Sequence, residues 1–361
     1  MHNLIHLRRK FTTFEYMKGG RDDPLEIGIA YFILRFLPQH FESYTLYIRL
    51  SYLNLIAVIG GGTGSIKLIR GLAKAVKDLV IISNVADNIW LNGMYVCPDI
   101  DTTLYGLSNI LDLSNGWGIQ HDSYYFLNQM RMLGEDTWFT LGDKDLATHA
   151  LRTKMLGEGK DLSQVTDYLR RKLKVLPRIL PVSNDHIETR FRTDIGDLHI
   201  QEFWVREKAK PKIRSVYYKG STTAIVNPLA VEAVRRSRTI IIAPANPITS
   251  IGPMLSLKEF RAELISLKER VVAVSPIIGN SVISGPAAKY MKSAGMHVSP
   301  VGVAKYYRKF LSKFVISELD SAISPEISNL DLSVYRTNII MKNRYQENML
   351  ANYILKHCAK H

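Results

Sequence analysis

The chain has 361 residues, of which 46% are apolar and 22% charged, and a formal net charge of +14. Such a length suggests about two domains of the usual ~150 residues, or one large α/β domain, with a core that needs no disulfides. The composition excludes a disordered or fibrous chain, and the basic balance favours anionic partners: phosphorylated metabolites, nucleic acid or an acidic membrane surface.

Residues 1–52 are rich in aromatics and carry no punctuated motif, so they read as an N-terminal extension outside the catalytic core. Their apolar run at residues 27–34 is too short to span a bilayer. It also lies behind Asp22, Asp23 and Glu26, too far in for a secretory signal. From residue 53 the pattern turns regular. Residues 55–59 form a short apolar run stopped by Gly60-Gly61-Gly62-Thr63-Gly64; a helical stretch and a second run at residues 79–82 follow. This is a βαβ unit. Further strand-like runs occur at residues 138–141, 178–182, 239–242 and 271–274, with a last one expected at 297–302. Each ends in polar or turn residues. Residues 195–205 are expected to hold another strand, after a Gly196-Asp197 turn, inside a mixed α/β insertion at about 150–230. Continuous apolar strands alternating with helices predict an α/β fold, a parallel sheet with helices on both faces. Its site belongs beyond the carboxyl ends of the strands. The Rossmann-like core is expected at 53–320 and a helical C-terminal segment at 321–361.

Lys/Arg-rich stretches at 152–178 and 206–238 lie inside this pattern, and no RNA-recognition signature, zinc finger or basic zipper accompanies them. No nucleic-acid partner and no membrane association are expected. The two cysteines, Cys97 and Cys358, belong to no ligand cluster. That excludes a structural zinc or a disulfide framework and suits a reducing cytoplasm.

The glycine loop follows a strand and opens a helix, where backbone amides bind phosphate and glycines admit it to the backbone. A tight turn without a ligand is the alternative. The loop is not a P-loop, because Lys67 comes too late, and not a dinucleotide fingerprint, because Ser65 replaces the third glycine. No carboxylate follows the second strand before Asp87, which argues against an NAD-dependent oxidoreductase. Asn84 either caps the next segment or contacts the ligand. Asp99 and Asp101 point the same way if their segment is extended and then suit Mg²⁺ with substrate phosphates; otherwise they cap a helix at 102–110. Asp143 and Asp145 flank Lys144 after a strand end, a pattern that suits metal and polar substrate groups, while His149 reads as a helix-face residue. Asn246, Thr249 and Ser250 either meet phosphate or cap a helix near Met254; Ser284-Gly285-Pro286 reads as a second helix start.

In order, these elements resemble the 2-phospho-lactate transferase family of coenzyme F420 biosynthesis. The resemblance rests on Gly60-Gly61-Gly62-Thr63-Gly64, Cys97-Pro98-Asp99-Ile100-Asp101-Thr102, Leu141-Gly142-Asp143-Lys144-Asp145, the Asn246-Pro247-Ile248-Thr249-Ser250 segment and Ser275-Pro276-Ile277-Ile278-Gly279. It covers about residues 53–320. It implies a Rossmann-like core, archaeal relatives and a homodimer. The implied reaction moves a 2-phospho-lactyl or enolpyruvyl phosphate group, with Mg²⁺, from a guanosine-diphosphate-linked donor to the deazaflavin Fo, giving F420-0 or its dehydro form and GMP. On this reading Gly60, Gly61, Gly62, Thr63 and Gly64 hold the donor phosphates, with Asn84, Asn246, Thr249 and Ser250 by the nucleotide. Asp101 and Asp143 are catalytic, Asp99, Asp101 and Asp143 hold the metal, and Asp101 and Lys144 meet Fo. Asp101→Asn is then expected to abolish transfer without unfolding the protein. The sequence departs from the family pattern at Ser65-Ile66, where Thr-Pro is expected, and at Lys144, where Arg is expected and whose planar fork Lys lacks. It departs again at Asn84-Val85-Ala86-Asp87-Asn88. A nucleotide-sugar-binding regulator of the gluconeogenesis-factor type shares the glycine loop, but its Gly/Ser-rich segment is replaced here by Asp87-Asn88-Ile89-Trp90-Leu91-Asn92-Gly93.

Overall fold

The computed structural model describes residues 54–282 and 286–359. The extension read at residues 1–52, and Ser284 and Gly285 of the expected helix start, lie outside the described residues. The chain divides into Met1–Ser51 and Tyr52–His361, and the fold below is that of the second unit.

Seven strands form the central sheet: β1 (Ile56–Ile59), β2 (Leu79–Ser83), β3 (Arg178–Pro181), β4 (Thr239–Ile242), β5 (Val271–Val274), β6 (Lys313–Ser317) and β7 (Ser333–Thr337). Their order is β3-β2-β1-β4-β5-β6-β7, and every neighbouring pair is parallel. All four residues of β1 are fully buried, which requires cover on both faces. This is the doubly wound order, in which strand succession reverses between β1 and β4. The helices of seven or more residues are α1 (Gly62–Ala75), α2 (Pro98–Leu107), α3 (Tyr125–Met132), α4 (Asp143–Gly157), α5 (Leu162–Lys172), α6 (Pro228–Arg236), α7 (Lys258–Ser266), α8 (Ala287–Ser293), α9 (Pro300–Tyr307) and α10 (Arg344–His357), and shorter ones lie at Gly252–Ser256 and Ser324–Ser328.

The expected insertion at 150–230 is mixed. It contributes β3 to the main sheet and a separate antiparallel sheet of Asp197–His199, Glu188–Thr193 and Ile213–Lys219, in that spatial order. The strand expected within 195–205 is Asp197–His199, entered through Gly196 at φ +132°. Phe191 of this sheet stacks on Tyr290 of α8, with ring centroids 5.0 Å apart and planes 14° off parallel.

Three expectations fail. Residues 138–141 are not a strand; they are irregular. Trp138 lies under the Arg206 guanidinium at 4.5 Å, and Leu141 joins a small satellite cluster with Val96 and Leu146. Residues 297–299 are a turn that starts α9, whose Ser299 hydroxyl accepts from the Gly302 amide at 3.1 Å; the strand that follows is β6. The segment 321–361 is not helical throughout, because it supplies β7 as the edge strand.

The C-terminal helix α10 packs along α1 through a buried charge pair. Arg70 donates to both carboxylate oxygens of Glu347, one of them at 3.0 Å, and both side chains are almost fully buried. Gly71 permits the approach: a Cβ there would lie 3.1 Å from the Ala351 Cβ and would overlap the Glu347 carbonyl oxygen. Breaking one partner of such a pair leaves a buried charge. Glu347→Ala is therefore expected to lower unfolding free energy by about 3–5 kcal/mol, read from the urea midpoint; a change under about 1 kcal/mol, the size of an exposed pair, contradicts this packing.

Candidate functional site

A cavity of about 680 Å³ lies where the strand order reverses, beyond the carboxyl ends of β1 and β4. Gly61, Gly62, Thr63 and Gly64 form its floor; Asn246, Thr249 and Ser250, after β4, form one side. Gly60, at φ +152°, does not line the cavity but turns the chain out of β1, its amide bonded to the Ile82 carbonyl at 3.0 Å. Gly62 sits at φ +66°, where only glycine is unstrained, and α1 starts there without a side-chain cap. The first amides of α1 thus face the cavity as an anion-binding end.

Opposite this loop stand two carboxylates. Asp99, at the start of α2, sits against Gly61 and Gly62: a Cβ on Gly61 would lie 2.8 Å from the Asp99 Cβ and from the Ser83 hydroxyl. Asp87, after β2, opens on the cavity beside it. Asn84 lies behind the wall and binds the two together; its amide nitrogen is 3.1 Å from Asp99 Oδ2 and 3.0 Å from Asp87 Oδ1. Its carbonyl oxygen accepts from the Ala86 amide at 3.0 Å. Burial pushes the Asp99 carboxyl up to about 6. Burial, and then the Asp99 charge, push Asp87 well above the carboxylate range. Burial thus opposes ionisation of both carboxylates.

Asp101 is two residues on and also lines the cavity, but it is turned away from Asp99 around α2, because both carboxylates stand on a helix and not on an extended segment. It takes a two-point ion pair from Arg152, accepts from the Cys97 amide at 3.3 Å, and lies 3.5 Å from His149 Nδ1. His149 Nε2 is 3.2 Å from Asp145 Oδ1, which also accepts from the Tyr105 hydroxyl at 2.6 Å. Asp145, His149 and Arg152 recur at i, i+4 and i+7 of α4, so one inward stripe carries all three. His149 is 1% exposed; it is an interior residue of this chain of contacts, not a helix-face residue. Burial works against the Arg152 charge, but the Asp101 carboxylate raises its pKa nonetheless. Burial likewise opposes the Asp145 charge, yet His149 and Tyr105 hold that carboxyl below the usual range.

Asp143 and Lys144 are not part of the cavity lining. The Asp143 carboxylate accepts from Ser123 Oγ at 2.6 Å and from the Tyr125 and Phe126 amides at 3.0 Å, which caps the start of α3 and keeps its pKa low. Lys144 is exposed and donates to the Gln120 and His121 carbonyls. The structure therefore does not bring Asp99, Asp101 and Asp143 together as one ligand set. Among the described residues no group of three His, Cys, Asp or Glu is placed to hold a metal. The two carboxylates beside the glycine loop are Asp87 and Asp99. Sequence reasoning passed over Tyr105 and Arg152, and over the aromatic walls Trp117, Phe139, Trp204 and Tyr290. The spacing of Asp145, His149 and Arg152 was the signal that could have found the stripe.

The family model "2-phospho-L-lactate transferase CofD" matches residues 56–353. The chain is 38% identical over 301 residues to the 2-phospho-L-lactate transferase of Methanosarcina mazei, covering 83% of this chain and 99% of that one. It is 37% identical over 311 residues to that of Methanocaldococcus jannaschii, covering 84% and 98%. The one from Methanopyrus kandleri is 37% identical over 305 residues, covering 83% and 96%. A solved structure of a Bacillus halodurans protein has the same fold, with a TM-score of 0.56 at 18% identity, over 84% of this chain and 99% of that one.

Asp99 and Asp101 differ in what their neutralisation does to the fold. Asp101→Asn strips the buried Arg152 of its counter-charge and is expected to cost about 3–5 kcal/mol, so the sequence-based expectation of an unperturbed fold is withdrawn. Asp99→Asn relieves a strained charge and is expected to raise the melting temperature of the ligand-free protein at pH 7.5, by about 2–4 °C for ~1 kcal/mol. Thermal melts of the two variants check this; equal shifts would contradict the division of roles.

Proposed function

From the premise that the chain belongs to the 2-phospho-L-lactate transferase family, we propose that it joins a 2-phospho-lactyl group, or its enolpyruvyl counterpart, to Fo. The donor is linked to guanosine diphosphate, and GMP leaves. A terminal hydroxyl oxygen on the ribityl chain of Fo attacks the phosphorus next to the lactyl group. A new P–O bond to Fo forms, the hydroxyl proton is released to water, and the bond from that phosphorus to the oxygen bridging it to GMP breaks with its electron pair, which stays on the GMP phosphate. Transfer of this kind needs positioning and charge neutralisation more than a covalent intermediate on the protein.

The observation that carries the reading is the juxtaposition, in one cavity, of an uncapped glycine-loop helix start with the Asp87–Asp99 pair. The amides of Gly62, Thr63 and Gly64 receive the donor diphosphate. Asn246, Thr249 and Ser250 flank the nucleotide. Mg²⁺ fits the carboxylate pair, because a hard cation with oxygen ligands would favour the ionised forms that burial opposes in both groups. Asp87 and Asp99 would hold it, and when bound it supplies neutralisation of the diphosphate charge. Trp117, Phe139 and Trp204 supply faces on which planar rings can stack. Asp101 acts through Arg152 and His149 as a positioning residue, and Lys144 reaches Fo only if the acceptor extends past the described cavity. The same reading includes a homodimer in the cytoplasm. Cys97 and Cys358 are free thiols, and no helix of the described residues is long and apolar enough to cross a membrane.

Incubation of the protein with Fo, Mg²⁺ and each guanosine-linked donor is expected to yield GMP and a phosphorylated deazaflavin in equal amounts, resolved by chromatography. No product from either donor, alongside tight binding of a nucleotide-sugar, contradicts the transferase and favours the regulator.

A further inference from the structure

A second cavity, of about 370 Å³, shares no residue with the first. It lies among the far half of α1, the end of α2 and the start of α10. Arg70 and Lys74 line it from α1, Asn109 follows α2, and Arg344 and Glu347 come from α10. Three cations meet one carboxylate. Glu347 is already engaged by both contacts of Arg70 and lies 3.4 Å from Arg344 Nη1. The Arg70 side chain is more than nine-tenths buried, and its Nη1 has no hydrogen-bond partner among the described residues. Arg344 is half exposed and held toward the cavity by Asn109 Oδ1 at 2.9 Å. Burial, and then the Arg70 charge, lower its pKa. Lys74 is exposed and makes no ion pair among the described residues; the last turn of α1, where it sits, also favours a cation by itself.

We propose that this pocket is a binding site for a compact dianion of the phosphate class, bridging Arg70, Arg344 and Lys74. Its net charge of about +2, from three cations and one carboxylate, matches a phosphate monoester. Guanidinium forks suit such an anion's oxygens, and a cavity of this size admits it with several waters. The site is independent of the donor cavity. Both helices that open there, α1 at the glycine loop and α2 at Asp99, run from that cavity to this one.

The probe is inorganic phosphate, titrated by calorimetry into the full chain at low salt. The expected result is a binding step that weakens at least about tenfold when Arg344→Gln and Lys74→Gln are combined, with the melting temperature of the phosphate-free protein unchanged. That step persists in Gly62→Ala, which obstructs the donor loop, and acetate, a monoanion, binds more weakly than phosphate. Equal phosphate affinity in the wild type and the double variant, loss confined to Gly62→Ala, or acetate binding as tightly as phosphate, overturns the proposal.

Discussion

The site depends on one close approach, that of the Asp99 carboxylate to the backbone of Gly61 and Gly62. Any side chain on those glycines would collide with Asp99 or with the Ser83 hydroxyl. The carboxylate is thereby held against the glycine backbone at a helix start, with Asp87 beside it and Asn84 bonded to both. Burial alone would favour protonation of the pair. On the proposed function, a cation held by the carboxylates and an anion on the first amides of α1 would satisfy both charges at once.

The rest of the fold holds that approach in place. β1 delivers the loop from the middle of the sheet, with β2 and β4 locking it on either side. Asp99 enters from α2, and the same helix start sets Asp101 at another part of the cavity lining, paired with Arg152. Two carboxylates two residues apart thereby do different work. One lies against the glycine loop, where burial opposes its charge, while the other anchors α4, and with it the Tyr105–Asp145–His149 contacts, to the cavity wall. On the far side, α10 clamps α1 through Arg70 and Glu347.

Much of the fold was legible because parallel strands buried on both faces are continuous apolar runs; β1, β2, β4 and β5 read this way without ambiguity. β7 was not, since Ser333-Val334-Tyr335-Arg336-Thr337 is a partly exposed edge strand with no such run. Residues 138–141 looked like a strand because aromatic and β-branched residues favour one, but here the aromatics pack on Arg206 and on each other. The glycine loop and Asp99 were legible as a site because their chemistry is local. The Asp101–Arg152 pair was not, because its partners lie 51 residues apart and only tertiary packing makes them neighbours. Asp143 and Lys144 were overweighted for the converse reason: a carboxylate beside a lysine after a strand looks functional, yet here one caps a helix and the other binds loop carbonyls.

The central claim is that Asp87 and Asp99, and not the Asp143 carboxylate, complete the diphosphate site with a divalent cation. Electron paramagnetic resonance of Mn²⁺ in the presence of GDP measures this most directly. The account predicts a bound Mn²⁺ signal in the wild type and in Asp143→Asn that is lost in Asp99→Asn and Asp87→Asn. Undiminished Mn²⁺ binding in Asp99→Asn, or its loss in Asp143→Asn alone, would contradict it.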